Sequence, residues 1–175
     1  MVREKEAGAL NELAEEARTL LRDARHGVLA TLSAENGFPY ASVVDVAGLE
    51  EGDLLLLLSD LAEHTRNLRA DDRVSLVVAA TEGKGEVLER GRASFQGRIE
   101  PLADDKAQEA RARYLEVHPQ AKGYVGFADF NFYRLGVERV RFIAGFGRMG
   151  WIDNELWRDL TKHSPSEGKT ISGDD

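Results

Sequence analysis

The chain has 175 residues, enough for one domain with a real core, and 42% hydrophobic with 31% charged residues is the balance of a soluble globular protein. A net charge of −8 without any basic cluster argues against nucleic-acid binding, and the absence of cysteine excludes disulfides, thiolate catalysis and Cys-based zinc sites. No apolar leader opens the chain and no apolar run approaches a membrane span, so the expected location is the cytoplasm, with no membrane partner.

Leu10, Leu13, Ala14, Ala17, Leu20, Leu21 and Ala24 recur at three- and four-residue spacing with Glu and Arg between them, which predicts an amphipathic helix lying as a lid on a core. His26-Gly27 ends it, glycine being the common residue just past a helix. Val28–Ser33 reads as a first strand. Asn36-Gly37 suits a turn at positive φ and predicts an antiparallel hairpin into a second strand, Phe38–Val46. There Phe38, Tyr40, Ser42, Val44 and Val46 share one face, and Pro39, Ala41, Val43 and Asp45 the other. Both faces are half apolar, as in a barrel wall covered on the outside by a helix or a partner.

Leu54–Leu58 reads as a third strand buried on both sides and ending at Ser59. A polar helix over Leu61–Ala70 follows, carrying His64, Thr65 and Asn67. Arg73–Ala80 is a fourth strand and 81–91 a loop. In a fifth strand, Arg92–Ile99, Ala93, Phe95, Gly97 and Ile99 alternate with Arg92, Ser94, Gln96 and Arg98. A helix over Asp105–Val117 ends before Pro119. A short irregular piece then leads to a last hairpin, Phe130–Leu135 and Val140–Ala144, joined through Gly136-Val137-Glu138. Residues 161–175 read as a disordered tail, leaving 1–160 as one domain. Six or seven short strands with helices at the ends, and no repeated strand–helix–strand unit, predict a mostly β (α+β) fold: a six-stranded antiparallel barrel with peripheral helices.

Gly145-Phe146-Gly147-Arg148-Met149-Gly150 satisfies the dinucleotide string, but nothing around it supplies the strand–helix–strand unit that the chemistry needs, so it reads as a sharp turn at a barrel rim. Trp151 and Trp157 then cap apolar surface, or one of them sits against a planar ligand. His26, His64, His118 and His163 follow no metal-ligand spacing. His26 and His118 each sit near a helix C-terminus, where an imidazole is favourable for structural reasons; His64 falls in the polar turn after the buried strand, as a site residue or an exposed helical one. Ser59 is either part of a polar corner or the N-cap of the next helix. Hydroxyls on two strands and the N–H groups of a helix start make that corner the size of an anion.

Phe38-Pro39-Tyr40-Ala41-Ser42, then Leu58-Ser59-Asp60-Leu61-Ala62-Glu63-His64-Thr65-Arg66-Asn67-Leu68, then Phe130-Asn131-Phe132-Tyr133-Arg134-Leu135 with Gly145-Phe146-Gly147-Arg148, occur in this order. In this the chain resembles the pyridoxamine 5′-phosphate oxidase-like, FMN-binding split-barrel superfamily, and within it the subgroup that includes the haem-utilisation proteins. The resemblance implies a split-barrel homodimer with FMN at the subunit interface, acting as an FMN-dependent oxidoreductase on a small or planar substrate. Its alternatives are a haem-binding or haem-degrading protein, or a flavin-binding module without turnover. It implies that Ser42, Ser59, His64 and Thr65 hold the phosphate of FMN, that Arg92 lies close to the flavin, and that Arg134 and Arg148 lie near the ring and the substrate. Serine and histidine stand where the true oxidases carry arginine and lysine, which points away from vitamin B6 oxidation. With haem as ligand, the C-terminal His163 is the implied axial residue. No side chain is singled out as a catalytic acid or base.

Overall fold

The structure is a computed structural model and describes residues 2–80, 86, 89–145 and 147–162. In chain order the elements are α1 (Val2–Asp23), β1 (His26–Leu32), β2 (Pro39–Asp45), β3 (Ala47–Gly48), β4 (Leu54–Ser59), α2 (Glu63–Ala70), β5 (Arg73–Ala79), β6 (Arg92–Pro101), α3 (Ala107–Val117), β7 (Phe130–Gly145), β8 (Arg148–Asp153) and α4 (Asn154–Lys162). The strands form one curled antiparallel sheet in the order β2-β1-β5-β6-β7-β4-β3, with β8 on β7, closing to a split barrel flanked by helices. Eight strands are present where six were expected, because β3 is a two-residue rung and β8 adds a strand after the glycine turn.

The alternation of side chains decides what each strand covers. Leu29, Leu76, Phe95, Val140 and Phe142 point inward, where Leu13, Ala14, Ala17 and Leu21 of α1 and Trp157 of α4 close the main core. Trp157 is fully buried, with Phe95 at 5.7 Å between ring centroids. The five leucines of β4 are buried on both sides for a simple reason. Leu54, Leu56 and Leu58 face this core, while Leu55 and Leu57 face a second one made with Tyr114, Ala121 and Val125 under α3.

Two expectations are corrected. Phe130–Gly145 is one strand of 16 residues, not a hairpin turning at Gly136-Val137-Glu138. Val137 is buried there, its N–H donates to Asp53 Oδ1 at 2.9 Å, and Glu138 is the extra residue of a bulge opposite Gln96/Gly97. A bulge bends a strand without reversing it, so the first half of β7 pairs with β4 and the second with β8, while β6 runs along both. Gly97 permits the close crossing: a Cβ there would lie 1.9 Å from the carbonyl oxygen of Gly136. The reversal comes instead between β7 and β8, where Gly145 and Gly147 take positive φ, so the glycine string is a hairpin turn.

The second correction is that α2 begins at Glu63 with Ala62 as its N-cap, not at Leu61 with Ser59 capping it. The Ser59 hydroxyl is engaged elsewhere, and 59–62 is a separate turn closed by Ala62 N–H to Ser59 O at 3.1 Å. Helix α4 also carries regular structure through Thr161 and Lys162. The remainder of the expected tail, with His163, lies outside the described residues. Among the described residues no helix is long and apolar enough to cross a membrane.

Candidate functional site

Strand β2, the end of the leucine-rich strand β4 and the first turn of α2 meet at one corner. Ser42, on β2, places its Oγ 3.1 Å from Nδ1 of His64 on α2. The other ring nitrogen of His64, Nε2, is shut off from solvent and has no hydrogen-bond partner among the described residues. Burial pushes the His64 imidazole below its ordinary pKa, so the neutral ring is favoured. Thr65 is fully buried and its hydroxyl donates to the Ser59 carbonyl at 2.7 Å. Ser59 Oγ donates to Asp129 Oδ2 at 2.6 Å and accepts from Leu61 N–H at 3.1 Å.

The structure therefore brings Ser42, Ser59, His64 and Thr65 together, with unequal freedom. The hydroxyls of Ser59 and Thr65 are committed to the turn that carries them, which leaves the Ser42–His64 pair. Asn67 holds this helix in place: fully buried, it donates to Thr31 Oγ1 at 3.1 Å and accepts from Ala34 N–H at 2.9 Å, tying α2 to the β1–β2 hairpin. Charge around the corner is already balanced. Glu63 sits in the first turn of α2 facing Arg66 at 3.5 Å, and Arg69 pairs with Asp60 at 2.6 Å.

The three arginines of the sequence reading lie elsewhere. Arg92 is on β6, three strands from β2 in the sheet, opposite Ala79 and Ile143, with a contact to Arg90 O at 3.4 Å. Arg148 reaches Glu16 of α1 at 2.5 Å. Arg134 donates through Nε to Asp53 Oδ2 at 2.7 Å, and Arg158 donates to Asp53 Oδ1 at 2.5 Å. Asp53 is fully buried, so two cations and the Val137 N–H neutralise one carboxylate at the mouth of β4. A lone aspartate immediately before five leucines was the available signal for this cluster, since a buried carboxylate requires a cation nearby. Asp129 gave no such signal.

His118 is structural, as its place at the end of α3 suggested: buried, it bonds the Val46 carbonyl through Nε2 at 2.8 Å and lies against Tyr114 at 4.7 Å. Among the described residues no group of three or more His, Cys, Asp or Glu is arranged to hold a metal ion. Among the described residues one groove, of about 1090 Å³, runs between α1 and the end of β5, a second, of about 900 Å³, lies between α2, α3 and β7, and a third, of about 640 Å³, runs along β1, β5 and β6; none of the three is lined by Ser42 or His64.

The sequence model of the family described as CREG, beta-barrel matches residues 9–159. The chain is 34% identical over 132 residues to the chloroplastic heme oxygenase HOZ of Arabidopsis thaliana, covering 75% of this chain and 40% of that protein. The structure of a heme binding protein from Mycobacterium smegmatis aligns with a TM-score of 0.78 and 39% identity, over 84% of this chain and 60% of that one. An FAD-binding protein from Mesorhizobium loti shares the fold, with a TM-score of 0.59 at 23% identity over 71% of this chain and 89% of that one. The chain thus spans 40% and 60% of the two more similar relatives' lengths.

Proposed function

We propose, for a chain that belongs to the CREG beta-barrel family within the pyridoxamine 5′-phosphate oxidase-like split barrels and is related to the haem-utilisation proteins, that it binds haem and degrades it when a reductant is supplied. The fold is shared by flavin-binding oxidoreductases and by haem-binding proteins, so the choice rests on the chemistry of the corner. The observation that carries the reading is the donor set beside Ser42: an imidazole held neutral by burial, with both arginines of α2 already paired and Glu63 at the helix start. A mononucleotide phosphate carries close to two negative charges and is normally met by a fixed cation. This corner has none to spare.

A neutral imidazole is what an iron centre requires of a histidine. With Nδ1–H donated to Ser42 Oγ, the Nε2 lone pair of His64 is left as the ligating atom, and Ser42 fixes the tautomer. Nε2 is enclosed in the single chain, so loading has to move this side chain or its neighbours. Bound haem would supply a Lewis-acid iron able to activate oxygen, and His64, oriented by Ser42, would hold it. His163 is the second ligand candidate.

A homodimer is part of the proposal. Val43, Val28 and Val77 form an exposed row across β2, β1 and β5, with Val43 at 74% exposure, and a second copy would cover it. Haemin and FMN titrations of the same preparation test the function. The expected result is a saturable Soret shift at one haemin per chain that His64→Ala alters, weak FMN binding, and loss of the Soret band to an open-chain product with reductant. Stoichiometric quenching of FMN fluorescence without a saturable Soret shift would replace this reading by the flavoprotein one, for which the hydroxyls and helix start of the same corner speak.

A further inference from the structure

The groove of about 900 Å³ between α2, α3 and β7 has no part in the haem reading. It has the volume of a small-molecule site. Its walls are apolar: Leu68 of α2, Ile99 near the end of β6, Val125, and Phe130 and Phe132 of β7. The two phenylalanines are held by packing behind them. Phe130 lies 5.3 Å from Tyr124 and Phe132 lies 5.6 Å from Tyr114, between ring centroids. Walls fixed in this way lose little freedom when a ligand arrives.

The polar groups along the groove differ in what they have left to offer. Asp60 pairs with Arg69 at 2.6 Å and Asp72 with Arg98 at 2.5 Å. Glu100 stands opposite Arg134 in the β6–β7 register and interacts with its charge. Arg111, by contrast, has no hydrogen bond or ion pair among the described residues, and the side chains of Gln108 and Asn131 have none either. Gln108 and Arg111 are three residues apart on α3 and share a helix face. One uncommitted guanidinium among three carboxylates attracts a single negative charge and repels a second. A carboxylate matches the fork of the guanidinium, and the amides of Gln108 and Asn131 can add donors to it.

We propose that this groove binds a small monocarboxylate with an aromatic or branched apolar body. Its carboxylate sits on Arg111, with Gln108 and Asn131 as further donors, and its body lies against Phe130 and Phe132. Neither Ser42 nor His64 lines the groove, so this site is separate from the haem reading and stands or falls without it.

The test is a titration of the full chain with phenylpropanoate, its methyl ester and phenyl phosphate, followed by amide NMR shifts. With the carboxylate, the shifts of Val125, Asn131 and Phe132 move together and saturate. Arg111→Gln lowers that affinity by about tenfold or more and Arg111→Lys by less, while the ester binds wild type and Arg111→Gln alike. Phenyl phosphate, with its second charge, binds more weakly than the carboxylate. Arg111 is exposed and without a partner, so its variants keep the wild-type melting temperature. Ala107→Trp fills the groove from the first turn of α3 with Arg111 in place, and removes binding of acid and ester together. Equal affinity of wild type and Arg111→Gln for the acid overturns the proposal, as does tighter binding of the phosphate. So does the lack of any saturable shift in wild type at about 10 mM carboxylate.

Discussion

Two polar clusters flank the leucine strand β4, and they are built on opposite principles. At its start Asp53 is fully buried and both of its carboxylate oxygens are engaged, by Arg134, Arg158 and the Val137 N–H. At its far end Ser42 and His64 meet each other, yet one ring nitrogen has no partner and the proton affinity of the ring is lowered. The first cluster closes on itself and joins β4, β7 and α4 into one body. The second leaves His64 Nε2 without a partner among the described residues, which is the feature the proposed binding role rests on.

The sharpest way to break this contrast is at Asp53. Asp53→Ala leaves two guanidiniums without their carboxylate and should cost about 3–5 kcal/mol in urea unfolding. A loss below about 1 kcal/mol would mean that the cluster anchors nothing. Next comes Asn67, whose removal leaves the Ala34 N–H without its acceptor and the Thr31 hydroxyl without its donor: Asn67→Ala should cost about 1–3 kcal/mol in the same assay, because it loosens α2 from the hairpin. Ser42→Ala is expected to be milder, about 1 kcal/mol or less, since β2 is exposed on its outer side. Its effect should appear in ligand binding, as a changed Soret band in the haemin titration. A large stability loss with an unchanged band would make Ser42 a structural residue like Asn67.

The smallest effect is in pH dependence. Burial lowers the His64 pKa in the folded chain, so the fold binds fewer protons than the unfolded chain as acid is added. The His64 contribution is fully present above the unfolded value near 6.5 and is lost as pH falls through it toward the folded pKa. Wild type should therefore lose more stability than His64→Gln between pH 7.5 and pH 5.5, and parallel profiles would show that His64 is effectively solvated. An anion bound against the ring would raise the pKa and reverse this dependence, which separates a phosphate-filled corner from the unliganded one.

The positions of α1, α2, α3 and most strands were legible because they depend on near neighbours, whereas β3, β8 and α4 were not read from the sequence. The three- and four-residue spacing in α1, the alternation in β6 and the unbroken leucines of β4 all report burial within a few residues. The grouping of Ser42, Ser59, His64 and Thr65 followed from the family motifs. Which of those groups remain free did not, because that depends on Asp129, Leu61 and the Ser59 carbonyl reached through tertiary packing. Arg134 shows the same limit: its motif gave no sign of its partner, an aspartate 81 residues earlier in the chain.

Periodicity, turn residues and composition by themselves determined an antiparallel β-rich domain with helical lids, a turn at Gly145–Gly147 and a polar corner after the leucine strand. The tertiary structure alone decided that β7 bends without reversing, that Asp53 gathers two arginines, and that Arg139, Arg141 and Trp151 share one patch of the outer face. The physical reason is range. Propensity and burial pattern act over one or two turns of chain, whereas a bulge, a buried ion pair or a cation over a ring is set by which strands pair and in what register.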